Sequence, residues 1–199
     1  MTRKALFLDR DGVVNLDTGY LHKPSECVFV DGIFELVSAA NRAGYLVLFV
    51  TNQAGIARGY FTVDVFEAFT HWMLGEFQSA GARIDRVYYC PHHPEFGLGE
   101  YRQACACRKP EPGMFEQARR DFDLDMEGSL MIGDKLADLQ AAERAGVAHR
   151  FLLAPAGEQE LSESLGSRID SLSELFDRFG PTQAREPQRE SQLIATARP

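Results

Sequence analysis

Short apolar runs rich in β-formers alternate along this chain with segments of helical spacing, and that alternation limits the fold more than any other feature. The runs fall at residues 5–8, 45–50, 86–89, 130–132 and 150–153. Between them, Ile33, Leu36, Val37 and Ala40 stand at i, i+3, i+4 and i+7 ahead of Gly44. Val65, Phe66, Phe69, Trp72, Met73 and Phe77 precede Gly81; Phe115, Ala118 and Phe122 follow Pro112-Gly113; Leu136, Leu139, Ala142 and Ala145 precede Gly146. Each set reads as a helix closed by its glycine or opened by its proline. Strand, helix, strand in repetition means parallel pairing through right-handed crossovers, so the expected architecture is α/β, a doubly wound parallel sheet. Such sheets bind ligands beyond the carboxyl ends of their strands. The polar residues after each run are therefore where chemistry is sought.

At 199 residues, 45% hydrophobic and 25% charged, the chain has the balance of one folded domain. Residues 1–179 are expected to form it. Beyond residue 153 the pattern weakens; 161–165 and 172–179 read as short helices at the sheet edge. Residues 180–199, rich in Pro, Gln, Arg and Glu, bury too little apolar surface to repay ordering and read as a flexible tail. The net charge of −8, without a basic cluster, argues against nucleic acid. The N-terminus has neither an apolar run of spanning length nor a cleavage signal, so no membrane partner and a cytoplasmic location are expected. A monomer is expected. In a reducing compartment the four cysteines are thiols or metal ligands rather than disulfides.

The first run ends in Asp9-Arg10-Asp11-Gly12. Two carboxylates that close repel unless a cation sits between them, which points to a divalent metal, to acid/base work, or to both. Asp-x-Asp-Gly is also an ordinary turn. The second run ends in Thr51-Asn52-Gln53-Ala54-Gly55, a polar turn able to offer a hydroxyl and backbone N–H groups to an anion. The fourth ends in Gly133-Asp134-Lys135, with Asp138 a helical turn later; Asp134 either completes a metal site or caps the helix. Arg108 and Lys109 suit phosphate, one as a fork and the other as a point charge, although adjacent basic residues are usually a solvated surface. Cys90, His92, Cys105 and Cys107 have the chemistry of a four-ligand structural zinc site, with His93 as the alternative imidazole. Cys27 stands apart as a small buried residue.

DRDGVVN at 9–15, TNQAGIARGYF at 51–61, CRKPEPGM at 107–114 and MIGDKLADLQAA at 131–142 resemble the four successive motifs of haloacid dehalogenase superfamily phosphatases. The cysteine loop, CPHHP to CACRKP, and the segment from Thr18 to His22 resemble a sugar-bisphosphate phosphatase subfamily without a large cap domain. The resemblance spans residues 4 to about 153. It departs at Ala54, where many relatives carry Ser; only a side-chain contact is lost there.

What the resemblance implies is a magnesium-dependent phosphatase acting through an aspartyl-phosphate. Asp9 would be the nucleophile and Asp11 the acid and base. Magnesium would be held by the Asp9 carboxylate, the Asp11 carbonyl and Asp134. Thr51 and Lys109 would bind the transferring phosphoryl group, with Asn52, Gln53 and Ala54 beside them. Arg108 and the loop Asp17, Thr18, Gly19, Tyr20 would recognise the rest of a small sugar bisphosphate. Lys135 would assist near the metal, and Asp138 would act behind it. Histidinol-phosphate phosphatases, which share the zinc loop, are the alternative within the enzyme class. A phospho-receiver domain is disfavoured by the cysteine loop and the paired aspartates; a zinc-stabilised binding module with a dead site should have lost Asp9 or Asp11.

Overall fold

The N-terminal run Ala5–Leu8 forms strand β1 and is buried along its whole length, as the central strand of a sheet covered on both faces must be. Its neighbours are β2 (Leu46–Asn52), paired from Ala5 with Leu46 to Leu8 with Phe49, and β4 (Leu130–Gly133), paired from Leu6 with Leu130 to Leu8 with Ile132. Outward lie β3 (Arg86–Cys90) and β5 (His149–Leu153), then the three-residue edges β6 (Ser167–Ile169) and β7 (Ile194–Thr196). The order is β6-β5-β4-β1-β2-β3-β7 with every pair parallel. The computed structural model describes residues 2–154, 160–180 and 194–196.

Crossover helices divide between the two faces according to strand alternation. Leu6, Leu8, Val47 and Phe49 pack with α1 (Ile33–Arg42) and α3 (Val63–Ser79). Ala5, Phe7, Leu48 and Val50 pack with α4 (Gly113–Phe122) and α5 (Leu136–Arg144). A single turn, α2 (Ala54–Ala57), follows β2. The strand order runs outward in opposite directions from β1 and β4, so a crevice opens where their carboxyl ends meet. That crevice receives Asp9, Asp11 and Asp134. Among the described residues no cap domain is inserted, and no helix is long and apolar enough to cross a membrane.

The doubly wound reading holds, with differences at the periphery. Residues 161–165 form a turn rather than a helix, and the Arg150 guanidinium caps the carbonyls of Ser164 and Leu165 at 2.8 and 2.6 Å. Leu172–Phe179 is helical but 3₁₀, burying Leu172, Leu175 and Phe179 against the α1 side of the core. Strands β6 and β7 are too short to show a period in sequence. Most of the 180–199 tail, expected to be flexible, lies outside the described residues; Ile194–Thr196 pairs its backbone with Val87, Tyr88 and Tyr89. An edge strand offers unpaired N–H and C=O groups to any short extended segment. Cys27 is half-buried against the core and remote from the other thiols' loop.

Candidate active site

Asp9 leaves β1 with its backbone N–H still bonded to the Ile132 carbonyl at 3.0 Å, which fixes its side chain at the β1–β4 switch point. Its carboxylate Oδ1 accepts from Arg10 N at 2.8 Å and from Lys109 Nζ at 2.9 Å. Lys109 Nζ also reaches Asp138 Oδ1 at 2.5 Å and the Val50 carbonyl at 2.8 Å. The lysine is thus almost wholly buried with all three of its protons directed at oxygen. Carboxylate oxygens of Asp9, Asp134 and Asp138 lie within 4.8 Å of one another. Burial, then Asp138, drive the Asp9 carboxyl well above the ordinary carboxylate range; Lys109 pulls it down, while Asp134 and Asp11 push it further up. Burial also works against the Lys109 charge, yet Asp138 and Asp9 outweigh it and hold the ammonium above the usual lysine value. Both shifts express one excess of negative charge over positive.

A hard dication answers that excess. The oxygen donors of Asp9 and Asp134 fit magnesium, and Gly12 lets the Asp134 carboxylate lie against the Asp-x-Asp turn: a Cβ there would stand 2.3 Å from Asp134 Oδ2. At the start of α5, Asp138 Oδ2 accepts from the Lys135 N–H at 3.0 Å. Asp138 therefore joins the carboxylate group directly, holding Lys109 and the start of α5 together.

Asp11 is set differently. Arg10 Nε and Nη2 donate to its Oδ1 at 3.1 and 2.8 Å, Nη2 also to Oδ2 at 2.7 Å, Asn15 Nδ2 to Oδ1 at 3.1 Å and Gln53 Nε2 to Oδ2 at 3.0 Å. Burial raises the Asp11 carboxyl, but Arg10 and the two amides outweigh it and leave it below the ordinary range. Two carboxylates two residues apart thus have opposite proton affinities in the ligand-free chain. Arg10 and Asn15 are site residues that reading of the motifs missed; the signal was a charge placed directly after a wholly apolar strand.

A pocket of about 350 Å³ is lined by Asp9, Asp11, Asp17, Gly19, Tyr20, Thr51, Asn52, Gln53, Ala54, Lys109, Lys135 and Asp138, among others. Thr51 is buried and its Oγ1 accepts from Gln53 Nε2 at 2.9 Å. Asp17 Oδ1 accepts from Gly19 N at 3.0 Å, shaping a turn in which Gly19 and Tyr20 have positive φ of 79° and 51°. Lys135 Nζ bridges Asp17 Oδ2 at 3.1 Å and Asp134 Oδ2 at 3.3 Å; burial lowers its proton affinity, but the two carboxylates hold it well above the usual lysine value. Thr18 and Arg108 do not line this pocket. Arg108 Nη1 instead donates to the His92 carbonyl at 3.1 Å. A larger open cleft of about 790 Å³, lined by Tyr60, Phe61, Leu98 and Tyr101 among others, adjoins but contains none of the strand-end acids.

The cysteine loop converges as its chemistry requires. Cys107 Sγ lies 3.1 Å from both Cys90 Sγ and Cys105 Sγ, and His92 Nδ1 lies 3.4 Å from Cys107 Sγ. The bond to the Cys90 thiol, then burial, push the Cys107 thiol far above its ordinary value, as crowded thiols without a cation must be. Three sulfurs and one imidazole nitrogen fit tetrahedral zinc. His93 turns away, its Nδ1 accepting from Glu95 N and Phe96 N at 3.2 and 3.1 Å.

A parallel sheet whose β1 and β4 ends bring an Asp-x-Asp pair, a lysine and a further acidic pair together defines a phosphatase of the haloacid dehalogenase type, and the HAD-hydrolase-like family model matches residues 106–165. A relative from Burkholderia mallei, D-glycero-alpha-D-manno-heptose-1,7-bisphosphate 7-phosphatase, is 53% identical over 153 residues, covering 77% of this chain and 81% of its own. The beta-anomer 7-phosphatase of Vibrio cholerae serotype O1 is 50% identical, covering 77% and 82%. The D,D-heptose 1,7-bisphosphate phosphatase of B. bronchiseptica, solved with magnesium and phosphate, superposes with a TM-score of 0.76 at 32% identity over 88% of this chain and 97% of that one. The chain belongs to the D-glycero-D-manno-heptose 1,7-bisphosphate 7-phosphatase family.

Proposed function

We propose that the protein hydrolyses the 7-phosphate of D-glycero-D-manno-heptose 1,7-bisphosphate in the cytoplasm as a monomer, leaving the 1-phosphate for later activation. The carrying observation is the convergence of Asp9, Asp11, Thr51, Lys109 and Lys135 on one pocket beside the Asp134 carboxylate. Relatives at 50 and 53% identity bear the names of the beta- and alpha-anomer enzymes, which supports the substrate class.

Asp9 attacks phosphorus and the P–O bond to carbon 7 breaks, giving an aspartyl-phosphate. The proton affinities of the ligand-free site reverse when it fills, since a cation on Asp9 would lower that carboxyl and a phosphate dianion beside Asp11 raise the other, and Asp11 gives its proton to the departing sugar oxygen. It then takes a proton from the water that attacks phosphorus, and the Asp9–phosphorus bond breaks to release inorganic phosphate. Lys109 and Thr51 hold the phosphoryl oxygens; Lys135 holds Asp134 and the Asp17 loop together across the pocket. Magnesium, held by Asp9, Asp134 and the Asp11 carbonyl, supplies the charge neutralisation that lets a phosphate dianion approach carboxylates. Zinc on Cys90, His92, Cys105 and Cys107 closes the loop that presents Arg108 and Lys109.

Steady-state phosphate release over both heptose bisphosphate anomers, other sugar phosphates and histidinol phosphate tests the assignment. The expected result is the highest kcat/KM on a heptose 1,7-bisphosphate with the 1-phosphate retained in the product. Preference for histidinol phosphate, or release of the 1-phosphate, would overturn it.

A further inference from the structure

Arg10 is 1% exposed, a full positive charge set inside the fold two residues past the end of β1. Its guanidinium lies over the rings of Phe66 and Phe69, 5.7 and 5.3 Å from their centroids, and Nη1 is buried with no hydrogen-bond partner among the described residues. Besides its three contacts to Asp11, Nη2 donates to the Leu21 carbonyl at 3.0 Å. Burying a cation is costly even when it is paired. Asn15 and Gln53 already give Asp11 two amide donors, so merely satisfying that carboxylate does not require Arg10. What a guanidinium adds is a planar fork that holds both carboxylate oxygens in one orientation. It also ties them to Leu21, the residue that follows Asp17, Thr18, Gly19 and Tyr20.

We propose that Arg10 is the positioning residue for Asp11, locking the plane of its carboxyl group to the substrate segment 17–21 so that proton transfer is directed at the departing sugar oxygen. This rests on the acid/base reading of Asp11 given above. In the first half-reaction the Asp11 O–H bond breaks as the sugar oxygen, keeping the electron pair of the broken P–O bond, takes the proton. Arg10 neither gives nor receives a proton. A lysine in its place keeps the charge but, as a single ammonium, cannot hold both oxygens in a plane.

The test compares kcat/KM, which reports the steps up to formation of the aspartyl-phosphate and leaves out its shared hydrolysis, on D-glycero-D-manno-heptose 1,7-bisphosphate and on p-nitrophenyl phosphate, whose aryl oxide leaves without a proton. The variants are Arg10→Lys, Asp11→Asn and the double Arg10→Lys/Asp11→Asn. Arg10→Lys should lose at least about tenfold more kcat/KM on the sugar ester than on the aryl ester, and the double variant should lie within about threefold of Asp11→Asn alone. Equal losses of Arg10→Lys on both esters, or losses that multiply in the double variant, overturn the positioning role. If circular dichroism shows Arg10→Lys unfolded, Arg10→Met/Asp11→Asn, which leaves no buried unpaired charge, is compared with Asp11→Asn by the same criterion. If Asp11→Asn itself loses equally on both esters, the acid/base reading fails, and the positioning role fails with it. A selective loss in Asp11→Asn without one in Arg10→Lys removes only the positioning role.

Discussion

Asn52 and Lys109 hold each other through two opposed hydrogen bonds: Asn52 Nδ2 donates to the Lys109 carbonyl at 3.1 Å, and Lys109 N donates to Asn52 Oδ1 at 3.1 Å. One side-chain amide so joins the end of β2 to the segment that leaves the cysteine cluster. The Lys109 ammonium meets Asp9 and Asp138 because its backbone is fixed from both directions, by Asn52 on one side and by Cys107 two residues before it on the other.

Loosening the cysteine cluster should therefore be felt at the phosphoryl site. Elemental analysis after chelator-free purification is expected to find one zinc per chain, and Cys107→Ser should lower zinc content, melting temperature and kcat together. A zinc-free protein with full activity would show that the cluster does not position Lys109.

Asp9→Asn should fold normally and lose several orders of magnitude in turnover, roughly a thousandfold or more, because the amide is a poor nucleophile and removes a metal charge. Phosphate release with a circular dichroism spectrum as fold control is the measurement. Turnover within about tenfold of wild type would exclude the covalent mechanism.

The raised proton affinity of Asp9 has a consequence for stability. The folded, magnesium-free protein keeps a proton that the unfolded chain releases near pH 4, so this contribution is complete below that pH and is lost as pH rises toward the elevated folded value. Asparagine cannot lose it. In zinc-containing, magnesium-free buffer the melting temperature of Asp9→Asn relative to wild type should climb as pH rises from about 4 toward neutrality, and added magnesium should stabilise wild type more than the variant. A difference that stays constant with pH would mean that Asp9 is not the strained group.

Arg108 stands outside the pocket lining, in the loop of the cysteine cluster, its Nη1 on the His92 carbonyl; the proposed function assigns it the substrate's far phosphate rather than the transferring one. Arg108→Ala should cut kcat/KM for the heptose bisphosphate by about ten- to a hundredfold, the value of one charge-assisted contact, and leave a simple aryl phosphate nearly unchanged. Equal losses on both substrates would show that Arg108 supports the loop instead of reading the sugar.

The central strands and their helices were legible in the sequence because burial imposes a period. Residues 5–8 are apolar throughout since both faces of β1 are covered, and Ile33, Leu36, Val37 and Ala40 recur at helical spacing since one side of α1 meets the sheet. Asp9, Asp11, Thr51 and Asp134 were legible because parallel strands deliver their carboxyl ends to one edge, so the residues after each apolar run are placed by topology, while Lys109 was legible as a cation beside the cysteine loop. The cluster Cys90, His92, Cys105, Cys107 was legible through its chemistry.

What the sequence could not determine are relations between segments that are far apart or too short to show a period. Strands β6 and β7 exist because edge strands accept any extended neighbour, and the turn at residues 161–165 is held by Arg150 from β5, which takes the carbonyls of Ser164 and Leu165. His92 rather than His93 faces the thiols because the backbone after β3 directs successive side chains to different sides. The opposite proton affinities of Asp9 and Asp11 are likewise tertiary: the same side chain, two residues apart, meets carboxylates in one position and a buried guanidinium in the other. Charge type is written in the chain, but which charges share a low-dielectric space is settled only when the strands are side by side.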